Sequence, residues 1–276
     1  MVYVFSIENA KSGGPELLHQ LVFVLNLMGK DAKIVYITDS MPIEIADSEP
    51  IDIYSKYNVT TERDIDKIDK EGNIVVLPEI AFSFFGRIKN AKKIAWWLSV
   101  DGYIEGTKSQ YGFTNDQMLK REYLDYYGFG NRSDILHLAQ SYYAKDFLGN
   151  KLCIEDSYID YLSDYLNDIY LENDGEYDNS IRRDMVIFNP KKGIHRLQKL
   201  IDETRDELFW YPLQNMSREK MIATMNTAKV YVDFGEHPGK DRIPREAAIS
   251  GCCVITGRRG SAAHHDDVPI PERYKL

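Results

Sequence analysis

Short runs of apolar residues alternate along the chain with stretches of helical periodicity. The run at 2–6 reads VYVFS, and the segment after it keeps Leu17, Leu21 and Leu25 on one face, as an amphipathic helix does. A second apolar run at 33–38 completes a βαβ unit. Continuous apolar runs are typical of parallel strands covered on both faces. The pattern therefore predicts the opening of a doubly wound sheet.

The alternation continues through the first half of the chain. Further strands are predicted at 73–79, 93–100 and 134–141, and a polar helix is predicted at 114–127. Together these elements predict an N-terminal Rossmann-like domain over residues 1–150.

An acidic stretch follows this domain. Residues 155–178 include nine Asp or Glu and no Lys or Arg. The pattern predicts a solvated helical connector that ends in a loose turn, NDGEYDN. We therefore expect a linker over 151–182.

A second alternation fills residues 183–276. It predicts a C-terminal Rossmann-like domain, short or truncated. The predicted strands are 185–189, 207–213, 229–235 and 252–256, and the predicted helices are 194–206, 217–227 and 244–250.

Composition narrows the partners and the compartment. With a net charge of −9, the surface as a whole should repel nucleic acid and anionic lipid. We therefore expect no nucleic-acid partner, and membrane contact that is peripheral at most. Three cysteines, two of them adjacent at 252 and 253, argue against disulfides and for a reducing compartment. The longest apolar stretch, 21–28, is too short to span a bilayer, and the N-terminus lacks signal-peptide features. We expect a cytoplasmic protein.

Positive charge follows the strands of the second half. Ligands of open α/β sheets bind outside the carboxyl ends of the strands. Three loops in these positions carry Lys or Arg, which predicts a multiply charged anion such as a diphosphate as the partner. The candidate residues are Asn189, Lys191, Lys192 and Arg196 in the first loop, Lys240, Arg242 and Arg245 in the second, and Arg258, Arg259 and Gly260 in the third.

Other candidates stand at predicted helix starts. Glu246 falls in the first turn of the helix predicted at 244–250, where a carboxylate either accepts both ribose hydroxyls of a nucleotide or complements the helix dipole. Gly13 and Gly14 precede the first helix and allow a phosphate or sugar to lie against backbone amides. The same Gly-Gly-Pro sequence also suits an ordinary turn.

Two acidic residues at strand ends are candidate catalytic groups. Asp101 follows the strand at 93–100 and Glu79 ends the strand at 73–79. Asp101 would contact a transferred sugar, act as a base or form a turn. His137, inside an apolar strand, is expected to be a core residue. The HHDD string at 264–267 matches no helix or strand face, so we expect no metal site.

These segments resemble the GT-B fold glycosyltransferases, especially the retaining enzymes classed as family 4. The similar parts are the SGG loop, WWLSVD, HLAQSYYAKDFL, NPKKG and PREAAISGCCVITGRRGSA. The last is the strongest, because the family has a glutamate, a helix of small residues, a Gly-Cys/Thr-x-Val-Ile strand and a glycine-rich turn in this order. The resemblance implies two Rossmann-like domains that face each other across a cleft, with the acceptor on the side of residues 1–150 and the nucleotide sugar bound by residues 183–276.

The resemblance also implies roles for individual residues. Glu246 would hold the ribose of a nucleotide-diphosphate sugar, and Lys192 its diphosphate, with help from Arg196 or Arg242. Asp101 would lie near the transferred sugar. The glycine pair before the first helix would lie near the phosphate and the acceptor. A UDP- or GDP-linked sugar would be the donor substrate, with no further cofactor.

The function implied is a metal-independent, hexosyltransferase-like glycosyltransferase. It would act on a glycan, lipid-linked or protein hydroxyl in the synthesis of surface polysaccharide or glycoconjugates. The family has paired glutamates eight positions apart, whereas Pro238 stands eight before Glu246. Pro238 favours an alternative, a non-catalytic GT-B-like binding or chaperone protein. A nucleotide-sugar epimerase or hydrolase on the same fold is a third reading.

Overall fold

The computed structural model describes residues 1–171 and 179–276. These residues form two compact units, unit 1 over Met1–Asp164 and unit 2 over Tyr165–Leu276. Their division falls within the acidic stretch of the sequence. All of the predicted NDGEYDN turn except its last residue lies outside the described residues, and that residue begins a short 3₁₀ helix, Asn179–Ile181.

Unit 1 is built on a six-stranded sheet in which every pair of neighbours is parallel. The strand order is β2-β1-β3-β4-β5-β6, so the direction of the chain across the sheet reverses between β1 and β3. The strands are β1 (Val2–Ile7), β2 (Ala32–Ile37), β3 (Ile74–Pro78), β4 (Lys92–Trp97), β5 (Ile135–Ala139) and β6 (Ile159–Tyr161). The helices are α1 (Gly13–Leu27), α2 (Ile65–Ile68), α3 (Val100–Tyr111), α4 (Asn115–Met118), α5 (Arg121–Leu124) and α6 (Tyr142–Asp146).

Both faces of this sheet are covered by apolar side chains. Alternate residues of β1 enter different cores: Val4 packs with Leu18 of α1, whereas Phe5 packs on the opposite face with Trp97 and Tyr103. Burial on both faces explains the continuous apolar runs. The expectation that His137 is a core residue is confirmed, since it is fully buried and its Nδ1 accepts a hydrogen bond from Trp97 Nε1 at 3.0 Å.

Three elements of unit 1 differ from the sequence prediction. β4 ends at Trp97, and the residues predicted to extend it begin α3 instead, because the Ser99 side chain caps this helix by accepting a hydrogen bond from Gly102 N at 2.9 Å. The single helix predicted at 114–127 is two short ones, α4 and α5. Part of the acidic stretch is a strand, β6, which pairs with β5.

Unit 2 has a four-stranded parallel sheet in the order β10-β9-β7-β8, with its reversal between β7 and β9. Every predicted strand and helix of this half is present, and α10 begins two residues earlier than predicted. The strands are β7 (Arg183–Phe188), β8 (Phe209–Pro212), β9 (Ala228–Asp233) and β10 (Cys253–Thr256). The helices are α7 (Asp168–Leu171), α8 (Ile194–Thr204), α9 (Arg218–Thr227) and α10 (Arg242–Ile249).

The helices of unit 2 also cover both faces of their sheet. Leu197 of α8 packs on one face with Val186 and Phe188. Met225 of α9 and Ala247 of α10 pack on the other. The two units are therefore Rossmann-like α/β domains, the second with the shorter sheet, as the sequence predicts.

Candidate functional site

The loops after β7, β9 and β10 pack against one another backbone to backbone. The first two lie where the chain reverses its direction across the sheet, which is where open α/β sheets bind ligands. A Cβ at Gly193 would lie 2.5 Å from the carbonyl carbon of Phe234, and one at Gly260 would lie 2.0 Å from the carbonyl oxygen of His237. Because neither position has room for a side chain, the glycines allow the three loops to meet.

Lys192, in the loop after β7, contacts an acidic residue in the loop after β9. Its Nζ lies 2.7 Å from Oδ2 of Asp241. The same oxygen lies 2.9 Å from Nδ1 of His237. On the other side of the imidazole, Nε2 lies 3.5 Å from Oδ1 of Asp233. His237 and Asp233 are buried, whereas Lys192 is partly exposed. These four side chains, which we call the lysine network, connect the loop surface to the buried end of β9.

Three members of the lysine network also lie close enough together to hold a metal ion. Its Asp233, His237 and Asp241 are the only trio of His, Cys, Asp or Glu within the described ranges close enough together to be considered as ligands. In the structure His237 contacts one carboxylate through each of its ring nitrogens, Asp241 through Nδ1 and Asp233 through Nε2. Lys192 already supplies a positive charge to Asp241.

The network shifts the protonation of its members. Burial alone would lower the pKa of His237, but the contact with Asp241 and the charge of Asp233 raise it. Burial alone would raise the pKa of Asp241, but His237 and Lys192 lower it. Both shifts favour the charged forms, an imidazolium at His237 and a carboxylate at Asp241.

We expect the lysine network to make stability depend on pH. A histidine whose pKa is raised on folding stabilises the protein fully below its unfolded pKa, and this contribution is lost as pH rises through the folded pKa. The free energy of unfolding should therefore fall between pH 6 and 8 more steeply in the wild type than in His237→Asn, which lacks the titrating imidazole. Asparagine is chosen because it tolerates the positive φ of 48° at this position. Urea unfolding across this range measures both slopes, and equal slopes would contradict the assignment.

Three arginines line a second feature of the same sheet edge. A cavity of about 350 Å³ is bounded by Arg196, Arg258, Arg259 and the ring of Phe234, among others. Glu236 lies between two of the arginines, 2.5 Å from Arg196 and 3.9 Å from Arg259. Arg258 pairs with Glu272, with its Nη1 at 2.7 Å from Oε2 of the glutamate.

Glu246 lies further along α10 than the sequence predicts. The helix begins at Arg242, so Glu246 is in its second turn, and only 8% of the residue is exposed. Burial raises the pKa of the Glu246 carboxyl, against the opposing charge of Arg242. Arg245 supports the loop before the helix by donating hydrogen bonds to the carbonyls of Lys240 and Asp241, at 3.1 and 3.2 Å.

The remaining predicted ligand residues occupy loop and helix-start positions. Asn189 Oδ1 accepts a hydrogen bond from the backbone N of Lys191 at 3.0 Å, which forms a turn directly after β7, and the Lys191 side chain is exposed. Gly13 and Gly14 are the first residues of α1 in unit 1.

Unit 1 has a cavity of about 310 Å³ at the carboxyl ends of β1, β2 and β3, next to the reversal of its own sheet. Glu79 lines this cavity, and its Oε2 accepts a hydrogen bond from the backbone N of Leu98 at 3.0 Å. Burial raises the pKa of Glu79 to about 7, although hydrogen bonds from the backbone oppose the shift. Asp101, in the first turn of α3, accepts a hydrogen bond from Tyr143 OH at 2.9 Å.

The fold of the chain is shared with solved glycosyltransferases. The match to a glycosyltransferase from Rickettsia africae covers 95% of this chain and 80% of that enzyme, with a TM-score of 0.60 and 12% sequence identity. The match to sucrose-phosphate synthase from Thermosynechococcus elongatus covers 94% of this chain and 81% of that enzyme, with a TM-score of 0.58 and 12% sequence identity. A third match is the catalytic domain of starch synthase IV from Arabidopsis thaliana, bound to ADP and acarbose. This match covers 99% of this chain and 86% of that domain, with a TM-score of 0.53 and 10% sequence identity.

The chain has the GT-B glycosyltransferase fold. The family 4 resemblance of its sequence is consistent with these structures. No protein-family model matches the chain, and no curated protein matches it significantly in sequence. Within the part of this GT-B chain that the structure describes, no helix is long and apolar enough to cross a bilayer.

The sequence of this GT-B chain predicted only one member of the lysine network, Lys192. It singled out the cations of the three loops but neither Asp233, His237 nor Asp241. The available signal was their four-residue spacing immediately after a strand. It also missed the polar residues around Glu79, since Thr38 and Gln110 come from different loops and helices of unit 1.

Proposed function

We propose that this protein is a glycosyltransferase that moves a sugar from a nucleotide-diphosphate donor to a hydroxyl group of a glycan, lipid-linked or protein acceptor. The fold is shared with glycosyltransferases. The observation that carries the proposal is the position of Lys192, a partly exposed cation held at the reversal of the unit 2 sheet. Proteins of this kind in the cytoplasm would contribute to surface polysaccharide or glycoconjugate synthesis.

We propose that unit 2 binds the donor. Lys192 and Arg242 would contact the diphosphate, with the loop residues Asn189 and Lys191 beside it, and Glu246 would bind the ribose because a carboxylate matches two adjacent hydroxyls. The starch synthase neighbour is bound to ADP. Its ligand supports a nucleotide diphosphate as the kind of donor here, and UDP and GDP remain our proposals for the nucleotide.

Transfer of the sugar releases negative charge on the departing diphosphate. Lys192 and Arg242 would stabilise this charge, which supplies the role that a metal ion has in other transferases. Glu79 would accept the proton of the acceptor hydroxyl, since a carboxylate with a pKa of about 7 is half ionised near neutral pH. Asp101 would contact the sugar or orient Tyr143 toward it.

The proposal is tested by release of nucleotide diphosphate from UDP-, GDP- and ADP-linked sugars with and without glycan acceptors. We expect release that depends on an acceptor, and Glu79→Gln should lower its rate about 100-fold without changing the affinity for the donor. Release from Glu105→Gln, the same change at an exposed carboxylate of unit 1 that does not line the cavity, should be unchanged and serves as the control.

Other outcomes of this assay separate the alternatives. Donor binding without any release would support the non-catalytic binding protein that Pro238 favours. Conversion of the donor without an acceptor would support an epimerase or hydrolase. Either result would overturn the transferase.

A further inference from the structure

The cavity of unit 1 combines an apolar wall with a polar end. Its apolar side chains come from the ends of β1 and β2 and from the loops that follow β2 and β3: Ile7, Ile37, Met41, Ile43 and Ile80. At about 310 Å³ it lies within the range of small-molecule sites, which is roughly 300–1,000 Å³.

The polar groups of the cavity include one that suits proton transfer. Glu79 lines it together with Thr38, Ser109 and Gln110, whose hydroxyl and amide groups can hydrogen-bond a ligand that carries several hydroxyls. Glu79 is held by the hydrogen bond from Leu98 N, so its position is fixed by backbone at the end of β4. A hydroxyl bound here would lie beside a carboxylate.

The apolar groups of the cavity reach the surface. Met41 is 58% exposed and Ile80 is 38% exposed, although both line the cavity. Exposed apolar side chains at the rim of a partly polar cavity are placed to contact an apolar part of a ligand that extends outward. A free sugar, which is polar on most of its surface, would leave this wall uncovered.

A glycine of α3 leaves room in the same cavity. Gly106 lines it, and a Cβ at this position would have no atom within 4 Å. Glycine in a helix interior costs about 1 kcal/mol relative to alanine, so the local helix would gain from any side chain here. The space beside α3 is therefore available to a ligand.

We propose that this cavity binds an acceptor in which an alkyl or other apolar group is attached to the sugar that carries the reacting hydroxyl. The inference rests on the proposed function and names the acceptor class as lipid-linked rather than free glycan or protein. The hydroxyl groups would face Glu79, Thr38 and Gln110, and the apolar group would cover Met41 and Ile80.

The test compares matched methyl and n-octyl glycosides of glucose, galactose and N-acetylglucosamine, kept below the micellar concentration. Binding to the full chain is measured by ligand-observed NMR. For at least one sugar, the octyl glycoside should bind about tenfold or more tightly than the methyl glycoside, which the burial of two methylene groups provides.

Two variants assign the binding to the cavity. Gly106→Leu places a side chain in the space that Gly106 leaves open and should abolish octyl glycoside binding, while leucine also favours the helix. Glu105→Leu adds the same side chain at the preceding exposed position, which does not line the cavity, and should bind as the wild type does. Circular dichroism confirms that both variants are folded.

Each result decides the proposal separately from the donor site. Equal binding of methyl and octyl glycosides, no binding of either, or octyl binding that survives in Gly106→Leu would overturn it. Binding of UDP, GDP or ADP to the same samples reports the proposed function independently. If a nucleotide binds but the glycoside test fails, the donor site in unit 2 is supported and the proposal for the cavity is overturned. If octyl glycosides bind as expected but no nucleotide binds, the cavity is a glycoside site and the proposed transferase function is overturned.

Discussion

Gly260→Ala is expected to unfold unit 2 or to lower its free energy of unfolding by more than about 4 kcal/mol. The φ of Gly260 is +50°, which costs an alanine about 1–2 kcal/mol. The added Cβ would also lie 2.0 Å from His237 O and 2.4 Å from Glu236 O. Both are backbone atoms, so the loops after β9 and β10 would have to separate.

Hydrogen exchange followed by mass spectrometry measures this effect for each unit. Amides of unit 2 should lose protection in Gly260→Ala while those of unit 1 keep it, because all of the affected contacts lie in unit 2. The matched control is Gly112→Ala, whose φ of +71° imposes the same kind of strain with no atom within 4 Å of the Cβ. A loss in Gly260→Ala no larger than that of the control would show that the loops do not pack as described.

Lys192→Ala is expected to weaken binding of a nucleotide diphosphate by about 10- to 100-fold. Charge-assisted hydrogen bonds contribute about 1.5–3 kcal/mol, and one such contact between the ammonium and the diphosphate would be lost. The variant also removes the ammonium partner of Asp241, so this carboxylate near the anion keeps only its contact with His237. Both effects act in the same direction.

Lys199→Ala separates this effect from a general loss of positive charge. Lys199 lies on α8 of the same unit, and its side chain is 85% exposed. Its removal changes the net charge equally but should leave the affinity unchanged. Isothermal titration calorimetry compares the two variants with the wild type, and equal affinities for all three would place the diphosphate away from Lys192.

The parallel sheets follow from sequence because their strands are buried on both faces. β1, β7 and β9 contain continuous apolar runs at 2–5, 185–188 and 230–232, and runs of this length between turns favour buried strands. β6 escaped prediction because only Ile159 of its three residues is buried, and its acidic neighbours indicate a solvated segment. It is a strand because the edge of β5 supplies backbone partners.

The helix α3 was missed for a local reason. Its twelve residues include Gly102 and Gly106, which weaken the helical pattern. Capping by Ser99 and the burial of Val100, Tyr103 and Thr107 on one face stabilise it in the folded chain. Tertiary packing therefore outweighs propensity here.

The candidate site divides in the same way. The placement of Lys192, in a loop, and Arg242, at the start of α10, on one edge of the sheet could be predicted because the carboxyl ends of parallel strands share that edge. Asp233, His237 and Asp241 could not, since each alone is an ordinary residue at a strand end or in a loop. Their significance comes from burial and from distances of 2.9 and 3.5 Å that only the folded backbone sets.

The most direct measurement of the central proposal is calorimetric titration of the wild-type chain with UDP, GDP and ADP and with the matching monophosphates. We expect one diphosphate to bind with a Kd below about 1 mM, the range in which enzymes bind their substrates. Its monophosphate should bind about tenfold or more weakly, because the second phosphate would contact Lys192. Binding of no diphosphate, or equal binding of diphosphate and monophosphate, would contradict a donor site built on the loops of unit 2.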